Sequence, residues 1–73
     1  MNTLKVTEVL NADSMNDHEL EQVLAVKTIL DDYGYQALQQ NENYYSILYK
    51  DTLIVSSNDD LGVFTSLKVQ YVN

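Results

Sequence analysis

Residues 16–34 read NDHELEQVLAVKTILDDYG, and this stretch decides the fold. Asn16 followed three residues later by Glu19 is the pattern of a capping box, and Asp17 and Glu19 stand where the helix dipole favours anions. The sequence therefore predicts a helix that begins after Asn16. At 100° per residue, apolar side chains fill one half of the helical wheel and predict a broad buried face. This face comprises Leu20, Val23, Val26, Ile29, Leu30, Tyr33 and Ala37.

The end of this helix is predicted at Gly34, because glycine adopts the left-handed conformation of a C-cap without a Cβ penalty. A competing interpretation continues the helix through residues 35–40, YQALQQ. Those residues are good helix formers, and one glycine costs a helix only about 1 kcal/mol. We favour the cap, which leaves residues 35–40 as a strand.

The remaining segments predict strands. Residues 3–10 alternate and are rich in β-branched side chains, which favours an N-terminal strand. Segments 35–40, 44–49, 52–57 and 63–72 are separated by polar turn residues, as in a small antiparallel meander sheet. The sequence thus predicts a single α+β domain over residues 1–73, with one amphipathic helix at about 16–33.

The opposite side of the predicted helix is acidic. Like charges three or four residues apart weaken a helix, and acids in its last turn oppose the dipole. Local stability therefore does not explain these side chains, and we interpret them as part of a partner-binding surface. The carboxylates are Asp17, Glu21, Asp31 and Asp32.

The six tyrosines are the second candidate for partner contacts. One helix covers only one face of a sheet, and strands 44–49 and 52–57 carry large side chains on both faces. We expect a monomer to expose Tyr44, Leu48, Ile54 and Phe64 as an interaction patch. We assign Tyr33 and Tyr71 to the core, and we predict that the contact residues are Tyr35, Tyr44, Tyr45 and Tyr49.

Composition limits the partners. Eleven Asp and Glu oppose four Lys, and the formal net charge is −7 over 73 residues. Such a chain should repel nucleic acid and anionic membranes and should be attracted to basic surfaces of other proteins. The chain begins Met-Asn-Thr-Leu-Lys and has no long apolar run, so we expect a cytoplasmic protein without a signal peptide or membrane span.

The sequence offers little for catalysis or for cofactor and metal binding. It contains no Cys and a single His, which excludes disulfides, thiolate metal sites and imidazole clusters. His18 is expected to be a solvated residue of the first helical turn, and Asp59 and Asp60 a solvated turn, since a calcium loop needs more ligands. We expect no enzyme activity, no cofactor and no metal.

Three functions compete. The first is an acidic module that occupies a basic, nucleic-acid-binding or regulatory surface of a larger protein. Its composition is similar to that of small proteins with which bacteriophages disable host nucleases, restriction systems, CRISPR effectors or RNA polymerase. The second is a homo-oligomer with a structural or scaffolding role, formed by the open sheet face or by edge pairing through strand 63–72. For the chain on its own we expect a monomer or a weak homodimer. The third, ranked last, is a small enzyme or metal-dependent regulator.

Overall fold

The computed structural model describes residues 3–58 and 63–72, and for Val63 and Phe64 it describes the backbone alone. Strand β1 (Thr3–Val9) leads through a short 3₁₀ turn (Ala12–Ser14) into helix α1 (Asp17–Tyr33). A second helix and three strands follow: α2 (Tyr35–Gln40), β2 (Tyr44–Tyr49), β3 (Thr52–Ser57) and β4 (Val63–Val72). The mixed α+β architecture predicted from the sequence is confirmed.

The four strands form one antiparallel sheet in the order β1-β4-β3-β2. The meander β2-β3-β4 matches the prediction, and β1 pairs with β4 on the side opposite β3. Strand β4 is therefore central, so the predicted edge pairing through residues 63–72 is wrong: both of its edges already bond to neighbours within the chain.

Residues 35–40 are helical, which corrects the predicted strand. Gly34 ends α1, and its N–H donates to the carbonyl oxygens of Ile29 and Leu30 at 3.1 and 3.2 Å. A new helical turn starts at once, because Ala, Leu and Gln favour helix and because this turn buries Leu38 completely. The burial of one leucine decides between two conformations that local propensity left close in energy.

The core lies between the two helices and one face of the sheet. It is built from leucine and valine, together with the buried Thr65. Helix α1 contributes the side chains at i, i+3 and i+7 from Val23, as its apolar spacing predicts. The buried apolar residues are Leu4, Val23, Val26, Leu30, Leu38, Leu53, Val55, Leu67 and Val69.

The predicted buried face of α1 is too broad at both ends. Leu20 is 39% exposed and Tyr33 is 75% exposed, although Ile29 between them is partly buried against the core. Leu20 and Tyr33 lie in the first and last turns of the helix, and the side chains that are buried come from between them, at Val23, Val26 and Leu30.

The junction between the helices depends on one backbone conformation. Gly34 has φ 88° and ψ 172°, a region that is essentially restricted to glycine. A Cβ built there meets no described heavy atom within 4 Å, so an added side chain would not clash. The requirement for glycine is therefore a requirement of the backbone.

We predict that Gly34→Ala lowers the free energy of unfolding by about 1–3 kcal/mol, measured by urea denaturation. A D-alanine placed at the same position by chemical synthesis is the matched control, because it adds the same methyl group but accepts positive φ. The D-alanine protein should be as stable as the wild type. Equal stabilities for the two alanine proteins would refute the explanation.

Candidate protein-binding surfaces

The outward side of α1 is the first candidate surface. Its start is fixed by the predicted capping box: Asn16 Oδ1 accepts from the Glu19 N–H at 2.8 Å, and the Asn16 N–H donates to Glu19 Oε1 at 3.2 Å. Asp17 and Glu21 follow, both exposed. The capping box stabilises the helix end, so the helix tolerates further carboxylates along its length.

An exposed leucine lies among these acids. Leu24 is 63% exposed, one turn after Glu21, and the Thr28 Oγ1 hydroxyl one turn later donates to the Leu24 carbonyl at 2.9 Å. Together with the partly exposed Leu20, it gives the acidic side of the helix an apolar centre. Sequence analysis overlooked Leu24, although its position between Asp17 and Asp31 on the helical wheel was the signal.

The last turn of α1 carries Asp31 and Asp32, both exposed. Lys5 of β1 reaches Asp31, with 3.0 Å between Nζ and Oδ1, and the two side chains are 41% and 31% exposed. This ion pair offsets part of the unfavourable position of an acid at a helix C-terminus. It also joins the edge strand to the helix.

Aromatic rings accompany these acids at the end of the helix. An open groove of about 250 Å³ is lined by the segment Leu30–Tyr35, by Thr3 and Leu4, and by Tyr71. Tyr33 and Tyr71, predicted as core residues, are 75% and 57% exposed, so that prediction is wrong. Tyr33 is the last residue of α1, and Tyr71 lies near the end of β4. The groove brings the predicted contact residues Asp31, Asp32 and Tyr35 together.

The predicted contact tyrosines do not form one surface. Tyr35 and Tyr44 are partly buried against the core, and the Tyr44 hydroxyl donates to Gln22 Oε1 at 3.1 Å. Tyr45 and Tyr49 are 61% and 58% exposed on the opposite face of the sheet, which no helix covers.

The exposed sheet patch also differs from the expected one. Tyr44 and Leu48 pack against the core on the helix side, whereas Ile47 is 48% exposed on the open face and Ile54 lies beside it there. The side chain of Phe64 lies outside the described residues. The expected patch combined residues of both sheet faces, because the sequence does not show whether the helices cover the even-numbered or the odd-numbered residues of β2. We call Tyr45, Ile47 and Tyr49 the sheet-face cluster.

The acidic side of α1 and the sheet-face cluster lie in different layers of a two-layer fold. The sheet face also carries cations: Lys68 is exposed on β4, and Lys50 Nζ lies 5.4 Å from the Tyr49 ring centroid. One flat partner surface cannot contact both layers. The helix side, which includes Asp17, Glu21, Asp31 and Asp32, is therefore the better match in charge for a basic surface.

Other chemistry has little support in the described part of the chain. His18 is exposed, and residues 3–58 and 63–72 hold no group of three or more His, Asp or Glu placed to bind a metal ion. The acidic turn with Asp59 and Asp60 lies outside the described residues. A polar cavity of about 480 Å³ has neutral amides and hydroxyls as its described lining: Gln22, Asn43, Tyr44, Ser57 and Asn58.

Comparison with known protein families, with curated proteins and with solved structures found no match for this chain. Among the described residues, no helix combines the length and the apolar character that crossing a bilayer requires.

We predict a small coupling energy of about 0.3–1 kcal/mol between Lys5 and Asp31, because both side chains are partly solvated. A double-mutant cycle with Lys5→Met and Asp31→Asn, followed by thermal unfolding, measures it. The coupling should vanish in 1 M salt. The control cycle combines Lys68→Met with Asp31→Asn and should show none; equal coupling in both cycles would contradict a specific ion pair.

Proposed function

We propose that this chain is a non-enzymatic, acidic protein-binding module that occupies a basic surface of a larger cytoplasmic protein, with α1 as its contact element. The surface it covers would normally bind nucleic acid or a regulator, as in a nuclease, an RNA polymerase or a CRISPR or restriction effector. Binding there would inhibit the larger protein. The composition resembling that of phage-encoded inhibitors agrees with this role.

One observation supports the proposal most: exposed apolar side chains lie among the carboxylates on the same side of α1. Leu24 is 63% exposed one turn after Glu21, and Leu20, one turn before Leu24, is 39% exposed. Carboxylates attract and orient a basic partner, while buried apolar anchors supply most of the binding free energy. A surface that served solubility alone would need the acids without the anchors.

The length of the acidic side suits a nucleic-acid-binding groove. Asp17 and Asp32 are 15 residues apart on one helix, which corresponds to about 22 Å at 1.5 Å per residue. One strand of B-DNA carries about six phosphates over that distance, at 3.4 Å per charge. Helix α1 itself carries five acids and one lysine. The helix thus carries negative charge over a length similar to that of these phosphates.

We predict that Glu21→Lys/Asp32→Lys weakens partner binding at least tenfold at low salt. The matched control is Glu42→Lys/Asp51→Lys, since Glu42 and Asp51 are exposed and lie outside α1. Each reversal adds two charges, so both double variants change the net charge from −7 to −3. The partner captured by the wild type from a bacterial lysate is purified, and its affinity for each variant is measured against salt.

The position of the charge, rather than its total, should decide the result. The control variant should bind nearly as well as the wild type, and the wild-type affinity should fall as salt rises. Duplex DNA should compete if the covered surface binds nucleic acid. Equal losses of affinity for both double variants would mean that only net charge affects binding, and this result would contradict the proposal.

We predict that Leu24→Ser weakens binding of the same partner about tenfold and leaves its salt dependence unchanged, because it removes an apolar anchor and no charge. Leu10→Ser is the control, since Leu10 is 47% exposed but lies outside α1. Neither change should alter thermal stability by much. A Leu24→Ser protein that binds as tightly as the Leu10→Ser protein would argue against α1 as the contact element.

A further inference from the structure

Strand β2 is an edge of the sheet and lacks the protection that the other edge has. Edge strands usually avoid intermolecular pairing through charges, bulges or short length. Strand β1 has such features: Lys5, Glu8 and a break in register between Val6 and Glu8. Strand β2 reads YYSILY, six residues without a charge, and it pairs with β3 in unbroken register.

The uncharged character extends beyond the strand. In the segment Tyr35–Tyr49, which includes α2 and β2, Glu42 is the single charged residue. Helix α2 packs beside β2, whereas the acid-rich α1 packs over β1 and β4 at the other side of the sheet. Two copies that each carry −7 therefore repel one another least when they approach through their β2 sides.

The free backbone groups of β2 follow from its pairing with β3. The Asn58 N–H donates to the Asn43 carbonyl at 3.0 Å, which places this residue pair at a hydrogen-bonded position of the β2–β3 ladder. Hydrogen-bonded pairs recur at every second residue in an antiparallel ladder. The backbone N–H and C=O groups of Tyr45, Ile47 and Tyr49 therefore point toward β3. The N–H and C=O groups of Ser46 and Leu48 consequently point away from β3, toward the open edge.

The sheet-face cluster is symmetric about its middle residue. Along the outer face, β2 presents Tyr45, Ile47 and Tyr49, so the order is the same in both chain directions. We propose that two copies pair through antiparallel β2 strands about a two-fold axis at Ile47. Ser46 of each copy then exchanges backbone hydrogen bonds with Leu48 of the other.

This register places like side chains together. Ile47 faces its own copy and Tyr45 faces Tyr49, all as non-hydrogen-bonded pairs, in which side chains approach most closely. An isologous contact of this kind closes on itself and forms a dimer instead of a fibre. The pairing continues the sheet across the axis and leaves α1 of both copies uncovered.

A contact confined to one six-residue edge strand of each copy should be smaller than a standard interface of about 800 Å² per partner, so we expect a weak dimer. Sedimentation equilibrium of the full chain from about 5 µM to about 1 mM should show a monomer–dimer equilibrium. Because salt screens repulsion between two negative copies, association should strengthen as salt rises. A monomer throughout this range at high salt would overturn the proposal.

A charge at the axis tests the symmetry. Ile47→Lys should abolish the dimer, because it places two lysines directly opposite each other, and an equal mixture with Ile47→Glu should restore a heterodimer. Thr7→Lys, which adds the same charge to β1, should dimerise like the wild type. Thermal unfolding verifies that each variant is folded. Dimerisation by Ile47→Lys alone, or no recovery in the mixture, would overturn the axis at Ile47.

Single cysteines test the register, since the chain contains no other. Ile47→Cys should form an intermolecular disulfide on mild oxidation, because directly opposed residues meet the distance that a disulfide needs. The Tyr49→Cys protein alone should not cross-link, since the two cysteines at position 49 would lie about 13 Å apart along the strands. A mixture of Tyr45→Cys and Tyr49→Cys should cross-link. Any other pattern would contradict the register.

The dimer and the proposed function are tested separately. Dimerisation should strengthen with salt and depend on Ile47, whereas partner binding should weaken with salt and depend on Glu21, Leu24 and Asp32. Loss of one behaviour therefore leaves the other measurable, and the Ile47→Lys protein should still bind the partner.

Discussion

The structure depends on one constraint: a single helical layer buries one face of a four-stranded sheet. The core that this creates consists of leucine and valine side chains from α1, α2 and the inner sheet face. Among residues 3–58 and 63–72, no helix or strand forms a second layer on the other face. Large side chains of β2 that point outward remain exposed, as the sheet-face cluster shows. Hydrophobic burial of one sheet face thus leaves the large side chains of the other face available for contacts.

Helix α1 shows a balance between stability and charge. Its capping box and the Lys5–Asp31 ion pair stabilise the two ends, and Val23, Val26 and Leu30 anchor its middle. These interactions allow the outward side to carry acids and exposed apolar side chains that do not stabilise the helix. Helix stability does not explain the acids of α1, whereas the partner binding proposed above would.

The two surfaces are compatible with one another. Pairing through β2 continues the sheet, and α1 packs over the strands farthest from that edge. A dimer would therefore present two acidic helices on the same side. If both helices contact one partner, the second contact forms at a high effective concentration, so the overall affinity exceeds that of either contact alone. The weak dimer would then assemble mainly on its target.

The sequence by itself determined the periodic and local features. The Asn16 capping box, the end of α1 at Gly34, the strand segments near 44–49, 52–57 and 63–72, and the acidic side of α1 all follow from spacing or from single-residue conformational preferences. These depend on interactions within a few residues, which a sequence shows directly.

Only the tertiary structure decided what depends on distant neighbours. The helical form of residues 35–40 required a core that accepts Leu38, and the exposure of Tyr33 and Tyr71 depends on how α1 packs against the sheet. The separation of Tyr45 and Tyr49 from Tyr44 and from the acids required knowing which face of β2 the helices cover. Alternation shows that two faces exist, but only packing shows which of them meets water.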